Sequence, residues 1–566
     1  MRGRMSRVAA IGLDAAEWWW VERLMDDGSM PNIAKLREQS VMVPLQNVTA
    51  YRAERAWTDF VTGRDARTND YWGTTLFDPA TYTASMRGAH DGPAFWSGTG
   101  LRSVIFDVPH SVLREDVDGI QVTAWGAHSP QYPRASFPQG TLRAIDERFG
   151  PHPAFDADSD LGWNDPDYIA RLTEALVVGA QRRADAALWL LEHNPDWQLF
   201  VTVMSETHSA PHHLWHGADT RHPLAGTRAS GVAREGMQRV AAALDAAVGR
   251  IVENLPDDAV VTLFSMHGME ASHDLPSLVL VPELLHRLTF GKPFLEDVHQ
   301  ERWVADGMPA VDPEHRYPWA IMGTLYDRRV DRPLVERVMS LLPVGAHRAL
   351  RRLARRPEYP ALGERDHVIL SESTLPPDRL LTEGLDLPFD WAPPVWYAQN
   401  WHRMPAFVLP SFSGDAHLRI NVTGRERDGV VDASDFRRVG QRVIDEIAAC
   451  TDPRSGLSIV ESVEWLRGNP DDTGPDADLI VRFAAPVDAV THPKVGLIGP
   501  LPHMRAGTHT SNGFALISGP GIEPKNLSQH PAADLPPTLL DLLSVRPADD
   551  LAGSSFAAEI VGPVKA

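Results

Sequence analysis

Three short apolar runs, each closing on polar residues and separated by long stretches of other character, constrain this chain most. Residues 7–13 (Arg-Val-Ala-Ala-Ile-Gly-Leu) end at Asp14, residues 199–205 end before Glu206, and residues 259–265 end before Met266 and His267. A continuous apolar run of this length reads as a strand buried on both faces. Helical patterns at 180–192 and 240–255 precede the second and third runs. Alternating helix and buried strand predicts an α/β fold with a mostly parallel sheet. Ligands of such sheets gather beyond the carboxyl ends of the strands, so Asp14, Glu206 and His267 are expected to converge on one site.

The 566 residues provide for about two to four domains. Between 276 and 410 the texture changes to many Pro and Trp residues with few strand patterns, which predicts an inserted cap region between core segments 1–275 and 411–566. Its basic stretch at 348–356 would suit an anionic substrate, although most charge runs are solvated helix faces. Strand patterns return from Leu418, another apolar run lies at 479–483, and 537–543 predicts a short helix packed on the core. The 75 acidic residues outnumber 54 basic ones, and a net charge of −21 opposes binding to a nucleic acid polymer or an anionic membrane. The apolar run at the N-terminus is too short for a signal or a span, and no 18-residue apolar stretch occurs elsewhere. The single cysteine, Cys450, excludes an intramolecular disulfide. Together these features predict a cytoplasmic location.

The densest chemical signal is Ser205-Glu-Thr-His-Ser-Ala-Pro-His-His-Leu-Trp-His216, with four histidines in nine residues of a chain that has 23 in total. Imidazole with carboxylate suits zinc and similar divalent ions. Read as the end of the second strand, Glu206 and His208 stand two apart and share a face, with His212 four residues on.

Several blocks in order resemble the type I phosphodiesterase/nucleotide pyrophosphatase family of the alkaline phosphatase superfamily. They are Ile11-Gly-Leu-Asp14, Met30-Pro-Asn-Ile-Ala-Lys-Leu36, Ala56-Trp-Thr-Asp-Phe-Val-Thr-Gly63 and Ser265-Met-His-Gly-Met269. Leu418-Arg-Ile-Asn-Val-Thr-Gly-Arg-Glu426, Gly507-Thr-His-Thr-Ser-Asn-Gly513 and Asp534-Leu-Pro-Pro-Thr-Leu-Leu540 continue the pattern. The resemblance implies a three-layer α/β/α sandwich with an inserted cap. It also implies a metal-dependent hydrolase of small phosphodiesters or pyrophosphates, with two divalent ions, zinc by the donor chemistry, and Thr58 as nucleophile through a phosphothreonine.

Transferred position by position, Asp14, Thr58 and His267 would hold one ion, while His212, His509 and a ligand from 206–208 would hold the other. The chain departs from the family twice, because Met266 stands where the metal-binding Asp is usual and His208 stands where the other Asp is usual. His208 is therefore expected to join His212 and His509, and Glu206 to replace the missing carboxylate beside Asp14. The competing role for Glu206 is to orient a histidine. Backbone N–H groups at the start of a helix after Thr58, with Asn69 nearby, are expected to bind phosphate oxygens. A phosphomonoesterase, a phosphonate hydrolase or a non-catalytic metal-binding relative would use similar ligands. A sulfatase is disfavoured, because Cys450-Thr-Asp-Pro-Arg454 displaces the proline of that nucleophile block and lies far from the Thr58 position.

Overall fold

The computed structural model describes residues 7–88, 90, 92–126, 134–155, 162–295, 300–314, 318, 322, 346, 387–389 and 392–561. Its centre is a ten-stranded sheet. From edge to edge run Lys525–Asn526, Val41–Gln46, Asn512–Ser518, Ala259–Ser265, Arg7–Leu13, Leu199–Met204, Ser103–Phe106, Gly119–Thr123 and Ala135–Phe137, and His530–Pro531 also pairs with Val41–Gln46. The strands from Ala259–Ser265 to Gly119–Thr123 are parallel to one another. Antiparallel pairing enters at Asn512–Ser518 and at Ala135–Phe137.

Alternation along each strand assigns the two faces. In Arg7–Leu13 the side chains of Ala9, Ile11 and Leu13 enter one apolar cluster, while Val8 and Ala10 enter another. Phe200 and Met204 divide from Leu199, Val201 and Val203 in the same way. The first cluster is covered by the helices Pro166–Glu192, Glu206–Ala218 and Ser230–Glu253, the second by Arg52–Thr62 and Leu535–Leu542. Period two along the strands and helices on both faces give the mostly parallel α/β sheet that the apolar runs predicted, in the three-layer α/β/α sandwich that the resemblance implied. The expected helix near 537–543 is Leu535–Leu542, and the run at 479–483 is the strand Leu479–Phe483.

That strand belongs to a second, antiparallel sheet in the order Ala406–Leu409, Ala416–Ile420, Leu479–Phe483, Val460–Trp465. It shares an apolar cluster with the helices Val281–Phe290 and Phe436–Ala448. Cys450 is buried in this cluster, away from the central sheet, and burial pushes its thiol up to about 12. The basic stretch at 348–356 lies outside the described residues. No helix among the described residues is long and apolar enough to cross a membrane.

Gly12 links this packing to the first strand end. A Cβ there would stand 3.0 Å from Trp57 Cη2, 3.0 Å from Val203 Cγ2 and 3.3 Å from Phe264 Cζ. The missing side chain lets the Trp57 indole lie against the strand, from which its N–H reaches Asp14 Oδ1 at 2.6 Å. Gly12→Val is expected to lower the unfolding free energy by about 1–3 kcal/mol, as overpacked cores do. An unchanged denaturation midpoint would show that the neighbours yield without cost.

Candidate metal centre and nucleophile

Asp14, Glu206 and His267 do follow three adjacent strands, but only two of the three side chains meet. Strand Leu199–Met204 stops at Met204, and residues Glu206–Ala218 form a helix where the sequence pattern led us to expect a continuing strand. The helix is stabilised by what it buries. Ala210, Leu214 and Ala218, four apart, enter the apolar cluster with Pro166–Glu192 and Ser230–Glu253. On a helix, residues two apart point to opposite sides and residues four apart share a face. Glu206 and His208 therefore diverge, and His208 and His212 converge.

His208, His212 and His509 are buried, and one nitrogen of each lies within 4.8 Å of the others. Nε2 of His208 stands 3.2 Å from Nε2 of His509 and 3.3 Å from Nε2 of His212. Two nitrogens bound to one tetrahedral ion at ~2.0–2.1 Å would stand ~3.3–3.4 Å apart. The donor set therefore fits a divalent ion of zinc type. His212 donates from Nδ1 to the Gly507 carbonyl at 2.8 Å, which leaves the Nε2 lone pair facing the other two rings. Gly507–His509 is itself a short strand paired with Met269–Ala271, so the loop after His267 delivers His509.

The second group forms beside the first. Nε2 of His267 is 3.4 Å from Asp14 Oδ1, and the rings of His267 and His509 have centroids 4.7 Å apart. His267 Nδ1 is buried and has no hydrogen-bond partner among the described residues. Ser265 ties the two strand ends, its hydroxyl accepting from Ala16 N at 3.1 Å and donating to the His267 carbonyl at 2.7 Å. Met266 is buried and packs into the apolar cluster beneath the sheet with Trp57 and Phe264, so its side chain offers no oxygen in place of the absent carboxylate. Glu17, which sequence reasoning missed, lies under the same loop and accepts from Met269 N and Thr510 Oγ1, both at 3.2 Å. Burial pushes it up to about 7 against those hydrogen bonds.

Thr58 is the seventh residue of the helix Arg52–Thr62, next to the tryptophan that holds Asp14. The expected helix start after Thr58 is thus corrected. Thr58 lies inside a helix that begins six residues earlier, where backbone N–H groups are engaged in the helix itself. Asn69 serves local structure, accepting from Tyr71 N at 3.0 Å. The hydroxyl of Thr58 lies 3.1 Å from Nδ1 of His110, a residue the sequence did not single out because no motif surrounds it.

Glu206 turns away into a buried ion network. Arg183 donates from Nε to both of its oxygens at 3.1 and 3.2 Å, and from a terminal nitrogen to Asp107 Oδ2 at 2.7 Å. His152 Nε2 lies 2.9 Å from Glu206 Oε1. Burial opposes the charge of Glu206, yet the Arg183 guanidinium and His152 hold its carboxyl down at about 2. The geometry that would have brought Glu206 beside Asp14 required a strand; the helix removes it, and the histidine it contacts is His152 rather than a candidate ligand.

The next turn of the histidine helix carries His216, which is buried with no hydrogen-bond partner on either nitrogen among the described residues. Burial, with His222 and His213 nearby, pushes it down from 6.5 to about 3. The unfolded chain therefore binds a proton more readily, so this contribution to stability is intact above pH 6.5 and fades as pH falls toward 3. By pH 5 the loss is up to about 2 kcal/mol. His216→Gln is expected to flatten the stability profile between pH 7.5 and 5 by that amount, measured by urea unfolding at both values. Parallel profiles for the two proteins would contradict this.

The family model for type I phosphodiesterase / nucleotide pyrophosphatase matches residues 8–319. No curated protein sequence matches the chain. Among solved structures, murine ectonucleotide pyrophosphatase/phosphodiesterase 5 is 10% identical, with 98% of this chain and 100% of that chain covered and a TM-score of 0.44. An inactive form of that protein in complex with AMP gives the same identity and coverage, with a TM-score of 0.41. Phosphonoacetate hydrolase from Sinorhizobium meliloti 1021, in complex with phosphonoformate, is 12% identical, with 96% of each chain covered and a TM-score of 0.42.

Proposed function

This chain belongs to the type I phosphodiesterase/nucleotide pyrophosphatase family, and on that premise we propose that it hydrolyses a small phosphodiester or pyrophosphate with Thr58 as nucleophile. The observation that carries the reading is the convergence of His208, His212 and His509 Nε2 atoms at the spacing of ligands to one tetrahedral ion. In this reading those three histidines hold one divalent ion, and Asp14 and His267, with the Thr58 hydroxyl, hold the other. Glu206 enters neither set. The donors favour zinc, since imidazole nitrogen outnumbers carboxylate oxygen.

Two divalent ions held by these residues would supply positive charge to offset the negative charge of the phosphate ester. The protein's own residues do the rest. Thr58 presents its Oγ to phosphorus, the new Oγ–P bond forms as the ester P–O bond breaks, the hydroxyl proton is lost to solvent, and the leaving oxygen departs with its electron pair and takes up a proton. Water then attacks the phosphothreonine, the Oγ–P bond breaks to release the phosphate product, and a proton from that water restores the hydroxyl. Trp57 holds the Asp14 carboxylate through its N–H, and His212 is oriented by the Gly507 carbonyl. Residues 276–410 are proposed as a cap that selects the substrate.

The test is elemental analysis of metal-replete protein together with hydrolysis of an aryl phosphodiester before and after chelation. About two divalent ions per chain are expected, with activity lost on chelation and regained with zinc. Trace metal only, with activity unchanged after exhaustive chelation, would sink the reading, and a strong preference for the aryl phosphomonoester would overturn its substrate class.

A further inference from the structure

We propose that His222 is a positioning residue for the metal centre, holding the segment from Ala506 to His509 against the histidine helix so that His208, His212 and His509 keep the spacing of ligands to one ion. The inference rests on the three-histidine ion site and not on which hydroxyl attacks. His509 reaches that site on a strand of only three residues, Gly507–His509. Its docking on the helix Glu206–Ala218 runs through the two residues before Thr508. Ala506 N donates to the His212 carbonyl at 2.8 Å, and His212 Nδ1 donates to the Gly507 carbonyl at 2.8 Å. A Cβ on Gly507 would lie 2.6 Å from the Pro211 carbonyl oxygen, so this close approach requires glycine.

His222 secures the same segment through the Ala506 carbonyl. That oxygen accepts from His222 Nε2 at 2.7 Å and from Ser272 N at 3.0 Å, which occupies both of its lone pairs. The other ring nitrogen fixes the direction of the first bond. Leu224 N donates to His222 Nδ1 at 2.9 Å, so Nδ1 carries the lone pair and Nε2 the hydrogen. Burial pushes the imidazole down to about 4, which keeps it neutral near pH 7. The backbone of His222 is fixed as well. It lies in the connection between the helices Glu206–Ala218 and Ser230–Glu253, where its N–H donates to the Asp219 carbonyl at 3.1 Å and its carbonyl accepts from Ala225 N at 2.9 Å. A ring bonded at both nitrogens, 4% exposed and on a pinned backbone, does not turn. The connection that leaves the histidine helix thus reaches back to clamp the strand carrying the third ligand. Ligands held in place before binding lose less freedom when an ion is bound, and partners behind metal ligands are typically worth about 10- to 100-fold in metal affinity.

The test measures the zinc dissociation constant by competition with a chromogenic chelator, following the zinc equivalent that His208→Ala removes. His222→Asn keeps an oxygen near the position of Nδ1 to accept from Leu224 N but is too short to reach Ala506. His222→Gln reaches it with an amide N–H. The Asn variant is expected to weaken zinc binding by roughly 10- to 100-fold, and the Gln variant to stay within a few-fold of the parent. Leu224→Ala, a buried change in the same connection, is expected to lower the urea midpoint and leave zinc affinity unchanged. Parental affinity in His222→Asn overturns the proposal, as does a Gln variant as weak as the Asn variant, or a Leu224→Ala protein weakened to the same degree. The unsubstituted protein provides a readout that no folding defect can obscure. Its histidine 15N spectrum should show His222, identified by the signals missing from His222→Gln, protonated on Nε2, and protonation on Nδ1 instead overturns the proposal. If His208→Ala removes no zinc, the three-histidine site itself fails and takes the inference with it, whereas a zinc equivalent lost there but bound normally by His222→Asn defeats the inference alone.

Discussion

Thr58→Ala is expected to reduce kcat by roughly 10^4-fold or more on any phosphate ester the protein hydrolyses, because it removes the attacking oxygen of covalent catalysis. The substitution leaves the rest of the site standing. Thr58 is buried inside Arg52–Thr62, alanine is a good helix former, and the neighbouring Trp57 keeps its hydrogen bond to Asp14. His208, His212 and His509 do not depend on it for their mutual spacing. Circular dichroism and metal content should therefore stay near those of the parent while single-turnover experiments detect no phosphorylated protein. A variant with near-parental kcat would show that another oxygen attacks.

Arg183→Met is expected to have the largest effect on stability, a loss of about 3–5 kcal/mol, the range found when one partner of a buried ion pair is removed. Arg183 is fully buried, and its permanent positive charge faces both Glu206 and Asp107. Burial works against its own charge, but the two carboxylates raise its affinity for the proton above the ordinary arginine value. Methionine fills similar volume without charge, leaving two carboxyl groups in a dry interior. Equilibrium urea unfolding measures the loss, and a change below about 1 kcal/mol would mean that water reaches the network. Glu206→Gln provides the companion measurement. The network assigns it reduced stability with both metal equivalents retained, whereas the role inferred from sequence, a ligand beside Asp14, required the loss of one.

Much of the site is legible in the order of residues along the chain. Asp14 and His267 lie where the apolar runs place them, at the ends of adjacent parallel strands, and the four-residue spacing of His208, His212 and His216 already carries the period of a helix. That period competes with the apolar run just before it, which favours a strand continued to Glu206. The chain turns at Ser205 instead, because Ala210, Leu214 and Ala218 are buried between two long helices only if the segment is helical. Tertiary packing decides between two local periods, and with it the direction of Glu206.

Residue type and spacing along the chain determined the buried strands, the two-faced sheet, the polar strand ends and the histidine-rich segment, since these depend on local periods of two and about 3.6 residues. Which of those side chains meet was decided only in three dimensions. His208 finds His509 across 301 residues, Arg183 meets Glu206 across 23 and Asp107 across 76, and Thr58 meets His110 across 52. No local pattern encodes such pairs. Each follows from the order in which strands enter the sheet and from helices covering its two faces, and that order is set by the burial of whole apolar surfaces rather than by the polar residues it brings together.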